Sequence, residues 1–324
     1  CIVTVARGEE VSRPVETIID EINSLHQQGI NEFILTGVHL GGYGNDIESN
    51  LTDLIKEILQ KTDIPRLRLG SLEPWELPEG FFSLFENPRL MPHLLLPLQS
   101  GSDSVLRRMA RRCKTEEFSA MIQQARQQVK NFNITTDIIV GFPGETEQEW
   151  QDSFNFIKET GFGHIHIFTY SSREGTKAAT LPDQLTNEIK KQRSKQLHAL
   201  AESMKQQFAT ENLNHQFEIL WEGHKQETGD NQHLVFGYTP NYLRVACKVS
   251  NTENIENKII SAELESISDS HLNCVLKWSS LTYHGAEGLY QNLVAGTPIY
   301  SFSEYHPLLH LQKGISCALP PTGF

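Results

Sequence analysis

The amino-acid sequence predicts an α/β fold, in which a partial barrel of alternating parallel strands and helices is followed by a small β-barrel. Three observations indicate this fold. Over the first two-thirds of the 324 residues, short apolar runs alternate with longer stretches of helical spacing. Polar residues and glycines follow one apolar run after another. After about residue 210 the helical pattern gives way to short runs separated by turns, which is typical of a small β-barrel.

The helices of the first part are predicted from apolar residues three or four positions apart. In the first helix, over residues 14–28, Ser12 can cap the start and Gly29 ends the helix. Further helices are predicted over residues 51–59, 115–129, 145–157 and 185–208. Strands that alternate with helices of this length indicate β-α units and a parallel sheet.

Five strands are predicted, beginning near residues 33, 67, 93, 134 and 164, and a strand before Cys1 would make six. Parallel barrels place their chemistry at the carboxyl ends of the strands. Polar residues and glycines lie at these ends, and we take them as candidate site residues: Thr36, Gly37, Glu73, Gln99, Ser100, Asp137, Gly141 and Arg173. The alternative interpretation is that each residue has only a structural role, as a polar group hydrogen-bonded within the fold or as a residue that ends a strand.

The chain is predicted to divide into a larger barrel over residues 1–210, a small β-barrel over 211–276 and an unassigned extension over 277–324. The small barrel is indicated by the strand-like runs Phe217–Trp221, Leu234–Thr239 and Tyr242–Val245. The extension has few charges and no clear period.

Composition limits the classes of protein and the compartment. Five cysteines without regular spacing do not suggest a disulfide framework, and no apolar run reaches the length of a membrane span. A cytoplasmic protein with no membrane partner is therefore expected. The net charge of −12 argues against a surface that is positive throughout. Local basic groups at 107–114 and 190–195 are either solvated helix faces or nucleic-acid contacts.

Several motifs together resemble one enzyme family. Residues 135–146 read TTDIIVGFPGET, a buried strand that leads through a glycine turn into a helix, where peptide N–H groups can bind a nucleotide. Residues 96–102 read LPLQSGS, residues 170–176 read YSSREGT, and the chain begins with CIVTVARG. From residue 1 to about 276 the sequence resembles the radical SAM methylthiotransferases. The resemblance implies a partial barrel of the radical SAM type and a TRAM-like RNA-binding β-barrel.

The resemblance also implies an activity and its cofactors. Gly70–Pro74 and His164–Phe168 resemble the branch that adds a methylthio group to threonylcarbamoyl-adenosine beside a tRNA anticodon. In this family a [4Fe–4S] cluster, held by C-x-x-x-C-x-x-C, passes an electron to S-adenosylmethionine (SAM). Cys1 matches the third thiolate. A second [4Fe–4S] cluster in an N-terminal domain takes part in sulfur delivery. The implied partners are tRNA and an electron donor such as a flavodoxin or ferredoxin.

Roles for individual residues follow from the same resemblance, although no catalytic residue is assigned. Thr36 and Gly37 match the segment that meets the SAM amino group, and Glu73 can accept from that ammonium. Gln99 and Ser100 match contacts to polar atoms of SAM, Asp137 can bond ribose hydroxyls, and Arg173 can pair with the SAM carboxylate or a substrate anion. In the small barrel Tyr238 and Tyr242 can stack on RNA and Arg244 can meet phosphate, unless the two aromatic rings fill the barrel core.

The sequence departs from the family before Cys1, because the first two cluster cysteines and the N-terminal domain are absent. This chain alone is therefore expected to be incomplete for activity. The alternative is a catalytically inactive or fragmentary RNA-binding protein on the same scaffold. A third hypothesis, an amidohydrolase with Cys1 as an N-terminal nucleophile, needs a base near Cys1 and a layered sheet, which the β-α alternation disfavours.

Overall fold

The larger barrel is built on five parallel strands: β1 (Glu32–Thr36), β2 (Arg66–Leu69), β3 (His93–Leu95), β4 (Asn133–Val140) and β5 (His164–Thr169). In this computed structural model the described residues are 11–37, 39–229, 231–268 and 270–277, with the backbone of 312–316. β1 pairs with β2, and β4 pairs with both β3 and β5, all in parallel. A bridge between Ser71 and Leu95 links the β2 and β3 ends.

Within the described ranges, six α-helices follow or connect these strands: α1 (Val15–Gln27), α2 (Leu51–Lys61), α3 (Asp103–Arg108), α4 (Thr115–Gln128), α5 (Glu147–Thr160) and α6 (Asn187–Glu211). Their apolar faces form one core with the outward side chains of the strands, including Ile18, Ile22, Phe33 and Leu35, all fully buried. The opposite face of the sheet is more polar, because Asn133 and Thr135 of β4 line an internal cavity. Among the described residues no helix is both long and apolar enough to cross a bilayer.

The small barrel is a closed sheet of β6 (Gln216–Glu227), β7 (Gln232–Tyr238), β8 (Arg244–Ser250), β9 (Ile259–Ile267) and β10 (Leu272–Leu276). Its core is built from alternate residues of these strands, with Trp221, Val235 and Leu264 fully buried. The prediction of an α/β fold, a partial barrel followed by a small β-barrel, is confirmed.

A further strand lies in the C-terminal region that the sequence left unassigned. The backbone of β11 (Gln312–Ser316) pairs in parallel with β1, on the edge opposite β2. The sequence predicts that a strand preceding Cys1 joins the larger barrel. Cys1 and its neighbours through residue 10 lie outside the described residues.

The loop between β7 and β8 joins the small barrel to the larger one. Arg66, the first residue of β2, donates from Nη1 and Nη2 to the carbonyl oxygens of Tyr238 and Thr239, each at 3.1 Å. Asn133, the first residue of β4, donates to the Asn241 carbonyl at 2.8 Å. Arg66 and Asn133 are the first residues of β2 and β4. The small barrel therefore contacts the amino ends of the parallel strands. The carboxyl ends are at the opposite edge.

Candidate cofactor site at the strand ends

Backbone hydrogen bonds hold the carboxyl ends of neighbouring strands together. They run from the Gly70 N–H to Leu35 O (2.8 Å), from Leu72 to Leu95 (3.0 Å), from Gln99 to Asp137 (2.8 Å) and from Tyr170 to Val140 (2.9 Å). The polar residues that follow the strands therefore share one edge of the sheet, as the sequence predicts.

Thr36 ends β1, and Gly37 follows it, both partly exposed at this edge. Their neighbour on β2 is Gly70, where an added Cβ would lie 3.1 Å from the Leu35 carbonyl oxygen and 3.3 Å from Thr36 Oγ1. A side chain at position 70 would therefore crowd the end of β1.

Glu73 has an unsatisfied oxygen at this edge. Its Oε1 lies 3.4 Å from Arg111 Nη1, whereas its Oε2 is buried and has no hydrogen-bond partner among the described residues. Burial raises the pKa of Glu73 above its ordinary value, although the Arg111 guanidinium opposes the change. A buried carboxylate oxygen without a donor is costly, because it has lost water without gaining a partner. An ammonium group would provide that missing partner.

Glu76 is a second carboxylate at this edge that the sequence analysis did not single out. It lies in the same short helical turn as Glu73, contacts His39 Nε2 through Oε1, and has a buried Oε2 without a hydrogen-bond partner among the described residues. A Cβ at Gly41 would collide with this carboxylate, so the glycine leaves room for it. The signal in the sequence was the spacing of Glu73 and Glu76, three residues apart on one helical turn.

Gln99 and Ser100 form a sharp turn after β3. Gln99 has φ 72°, in the left-handed region, and its backbone is fixed on both sides by bonds to Asp137 O and Ile139 N. Such a conformation costs a non-glycine residue about 1–2 kcal/mol, and it is retained where the surroundings require it. Ser100 is 1 % exposed, and its hydroxyl oxygen accepts from the Ser102 N–H at 3.2 Å.

Asp137 is paired across the sheet with a histidine. Its Oδ1 lies 3.0 Å from Nδ1 of His166, its register partner on β5. The His166 ring in turn lies 4.9 Å from the His164 ring in an edge-to-face arrangement. One carboxylate oxygen of Asp137 is therefore committed to His166, which leaves the second for a ligand hydroxyl.

The glycine turn after β4 differs from the sequence prediction in one respect. The Gly141 N–H donates to Glu145 Oε2 at 3.0 Å, and the Gly144 N–H donates to the Asp183 carbonyl at 2.9 Å. Arg193 of α6 completes this arrangement, with Nη1 2.8 Å from the same Glu145 oxygen. The two glycine N–H groups expected to bind a nucleotide are therefore occupied within the protein.

Arg173 stands apart from the other candidate residues. It is exposed in the segment after β5, and among the described residues its side chain has no hydrogen bond or ion pair. The structure does not bring it into contact with Glu73, Gln99 or Asp137.

The three candidate RNA-contacting residues lie at the opposite end of the larger barrel. Tyr238 is 8 % exposed and stacks on Tyr242 with ring centroids 5.0 Å apart. Tyr242 lies 4.7 Å from the His93 ring, and the Arg68 guanidinium lies 4.5 Å above it. These rings neither fill the small-barrel core nor present a bare face to solvent. They stack against the amino ends of the strands, so the exposed stacking surface expected for them is not found.

Arg244 sits beside these tyrosines. Its guanidinium carbon is 4.6 Å from the Phe236 ring centroid, and its Nε is buried without a hydrogen-bond partner among the described residues. The side chain lines a cavity between the two barrels.

The fit of the expected cofactors differs between SAM and the cluster. The strand-end residues suit SAM, because the unpartnered Glu73 oxygen can accept a hydrogen bond from an ammonium and Asp137 keeps one carboxylate oxygen as an acceptor. Cys1, the candidate cluster ligand, lies outside the described residues. No group of three or more His, Cys, Asp or Glu side chains within the described ranges could hold a metal ion. The described cysteines, Cys113, Cys247 and Cys274, are buried and free.

The chain is similar to known proteins of the radical SAM superfamily. Residues 1–157 match the family model of the radical SAM superfamily. The threonylcarbamoyladenosine tRNA methylthiotransferase MtaB of Bacillus subtilis is 35% identical over 267 residues, 82% of this chain and 58% of that protein. MtaB of Chlamydia pneumoniae is 33% identical over 84% of this chain and 63% of that protein. The tRNA-2-methylthio-N(6)-dimethylallyladenosine synthase of B. subtilis is 36% identical over 74% of this chain and 47% of that protein.

The chain belongs to the radical SAM superfamily, as the match to the family model and the similarity to the curated relatives show. Its parallel strands, with carboxylates at one edge, fit this class. Within that superfamily its curated relatives are tRNA methylthiotransferases, and the chain spans about half the length of those it matches. Among solved structures, the radical SAM coproporphyrinogen III oxidase HemN of Escherichia coli superposes with a TM-score of 0.45 at 13% identity, over 72% of this chain and 62% of that one.

Proposed function

We propose that this chain is the catalytic and RNA-holding part of a radical SAM methylthiotransferase that modifies threonylcarbamoyladenosine beside a tRNA anticodon. The observation that carries the proposal is the buried, unpartnered Glu73 oxygen at the carboxyl edge of a parallel sheet. The relatives named for this nucleoside support the substrate. In this proposal residues 1–210 carry the chemistry, 211–276 hold RNA, and 277–324 extend the chain.

The strand-end residues bind and orient SAM. Glu73 accepts hydrogen bonds from the SAM ammonium, with Thr36 and Gly37 beside it. The Gln99 side-chain amide hydrogen-bonds polar atoms of SAM. Ser100 follows Gln99 in the same turn. Asp137 accepts from a ribose hydroxyl, and Arg173 pairs with the carboxylate once the ligand brings the two together.

The cluster and its supporting partners complete the proposal. Cys1 is one of three thiolates of a [4Fe–4S] cluster, and the cluster with SAM supplies one-electron chemistry when bound. A second [4Fe–4S] cluster, held outside the residues of this chain, takes part in sulfur delivery. A flavodoxin or ferredoxin donates electrons, and the reducing cytoplasm keeps the thiols available.

Reconstitution of the chain extended before Cys1 by a C-x-x-x-C-x-x segment, with iron, sulfide and a reductant, tests this function. SAM cleavage and methylthio transfer are followed by mass spectrometry of nucleosides from tRNA that carries threonylcarbamoyladenosine. We expect Glu73→Gln to weaken SAM binding about tenfold or more, because it removes a buried charge that pairs with a cation. Glu79→Gln is the matched control, since Glu79 is exposed six residues away.

Two outcomes would contradict the proposal. An iron-loaded protein that binds tRNA with steep salt dependence but never cleaves SAM would be an RNA-binding protein on this scaffold. Equal SAM affinities for Glu73→Gln and Glu79→Gln would remove Glu73 from the binding site.

A further inference from the structure

A cavity of about 670 Å³ lies between the lumen of the larger barrel and the small barrel. Strands β2 to β5 line one side with residues that include His93, Thr135 and His166. Tyr238, Tyr242 and Arg244 line the other side. The volume is within the range of sites that enclose small molecules. His166 lines the cavity and is also hydrogen-bonded to Asp137 of the strand-end site.

His93 presents an unsatisfied atom in the wall of this cavity. The residue is 6 % exposed, its Nε2 lies 3.1 Å from Thr135 Oγ1, and its Nδ1 is buried with no partner among the described residues. Burial, together with the Arg68 charge, holds the pKa of His93 well below its ordinary value, so the ring is neutral. Thr135 Oγ1 lies 3.5 Å from Leu94 O, so the hydroxyl can donate there and accept from His93 Nε2–H. Nδ1 is then an acceptor that needs a donor.

Arg244 brings a positive charge to the same cavity, and the nearby Glu222 carboxylate interacts with it only at a distance. The other two arginines of this interface are engaged: Arg66 and Arg68 both pair with Glu32 and both donate to carbonyls of the β7–β8 loop. Arg244 has neither a hydrogen bond nor a carboxylate within ion-pair distance among the described residues. A partly buried guanidinium of this kind selects an anionic group.

The unpartnered groups discriminate between the two nucleosides named for the relatives. A threonylcarbamoyl group carries urea N–H groups, a hydroxyl and a carboxylate, whereas a dimethylallyl group is apolar. An apolar group would leave His93 Nδ1 and Arg244 Nε buried without partners, at a cost that a polar group avoids. The Tyr238, Tyr242 and His93 rings pack on one another and add aromatic surface to the lining of the cavity.

We propose that this cavity receives the threonylcarbamoyl side chain of the substrate adenosine, with Arg244 pairing with its carboxylate and His93 Nδ1 accepting one of its N–H or O–H groups. This assignment rests on the proposed function and adds to it the residues that set substrate choice. Arg244 then contacts the modified base rather than an RNA phosphate.

Nucleoside binding to the full 324-residue chain tests the assignment, measured by titration calorimetry. The probes are N6-threonylcarbamoyladenosine and N6-dimethylallyladenosine. We expect the wild type to prefer the first by about tenfold or more, and Arg244→Gln to abolish that preference by weakening the first alone. Lys248→Gln is the matched control, because Lys248 is an exposed cation four residues along the same strand.

Equal affinity of the wild type for both nucleosides would overturn the assignment, and so would the same loss in Arg244→Gln and Lys248→Gln. Inorganic phosphate that displaces the nucleoside from wild type but not from Arg244→Gln would identify a phosphate site instead, and would also overturn it. If Arg244→Gln loses its cooperative melting transition, Arg244→Lys serves as the test. It keeps the charge but not the planar fork, so it should retain part of the preference.

The two proposals fail separately. A protein that discriminates the nucleosides but never cleaves SAM contradicts the proposed function alone. A protein that methylthiolates tRNA while Arg244→Gln keeps full selectivity contradicts the cavity assignment alone.

Discussion

Two glutamates at the start of α5 show how position decides what a carboxylate does. Glu145 is buried between Gly141 and Arg193, and burial raises its pKa despite the arginine. Glu149, one helical turn further, accepts two hydrogen bonds from Arg108 and one from Ser104. Hydrogen bonding from Arg108 lowers the pKa of Glu149 to about 2. Glu145 thus stabilises the glycine turn from the protein interior, whereas Glu149 joins α3 to α5 at the surface.

The lowered pKa of Glu149 predicts an acid-sensitive component of stability. Because the folded value lies below the ordinary 4.5, its stabilisation is complete above about pH 4.5 and is lost as the pH falls toward 2. We expect Glu149→Gln to lower the free energy of unfolding by about 1 kcal/mol near pH 6, since the pair is partly exposed, and by much less near pH 3. Urea unfolding across this range measures the difference.

Glu159→Gln, at an exposed position of the same helix, is the control for this measurement. A deficit of Glu149→Gln that stays constant from neutral to acid pH would show that it does not arise from the charge of Glu149 beside Arg108.

The glycine turn between β4 and α5 depends on close packing against α6. Gly141 has φ 75°, and a Cβ there would lie 2.6 Å from Lys190 Cγ. Lys190 cannot withdraw easily, because its ammonium donates to the Tyr170 carbonyl at 3.3 Å and lies over the Tyr170 ring. The basic group at 190–195 is therefore partly structural, since Lys190 and Arg193 are buried.

Substitution of two glycines separates backbone strain from crowding. Gly80 has φ 77° and open space around its Cβ position, so Gly80→Ala carries only the left-handed strain of about 1 kcal/mol. Gly141→Ala adds the collision with Lys190, and we expect a total loss of about 2–4 kcal/mol in unfolding free energy. Thermal and denaturant unfolding of both variants measure the difference, and equal losses would mean that Lys190 moves aside freely.

Local patterns predict most of these elements, and their failures have physical causes. The apolar spacing of α1, α2 and α5 and the β-branched run of β4 are set by residues close in the chain. The short helix α3 has six residues, too few for a periodic signal. Tyr242 was expected to be exposed for stacking on RNA, but its ring packs against His93. The two residues are 149 positions apart in the sequence, so no local pattern indicates this contact. The Gly141 N–H was expected to bind a ligand, but Glu145 Oε2 accepts it in the folded chain, held there by Arg193, 48 positions further along the sequence.

At the scale of the whole molecule, a buried ion cluster joins the two barrels. Glu32 is fully buried, with Arg66 Nε 2.6 Å and Arg68 Nη2 3.1 Å from its Oε2. Burial alone would raise the pKa of Glu32, but the two guanidinium groups outweigh it and hold the pKa below the ordinary value. The same arginines donate to the β7–β8 loop of the small barrel. The Glu32 carboxylate thereby stabilises both the sheet of the larger barrel and the contact of that barrel with the small one.

Removing that carboxylate should loosen the small barrel. Glu32→Gln leaves two buried cations without a counter-charge, and we expect a loss of about 3–5 kcal/mol in unfolding free energy. Amide hydrogen exchange should rise in the β7–β8 loop, at residue 239 and residues 241–243, because the carbonyls of Tyr238, Thr239 and Pro240 lose well-oriented donors. Glu57→Gln, which breaks an exposed pair with Lys61 on α2, should cost less than about 1 kcal/mol. Unchanged exchange in the loop of Glu32→Gln would show that docking is independent of the cluster.

The docked loop has a consequence for chimaeric enzymes. Tyr238, Tyr242 and Arg244 belong to the small barrel in sequence, yet they line the cavity between the two barrels together with strands of the larger one. A graft that exchanges the small barrel between relatives would therefore replace part of the wall of this cavity as well. Under the proposed assignment of the cavity to the substrate side chain, such a graft would change which nucleoside the recipient accepts as well as how it holds RNA.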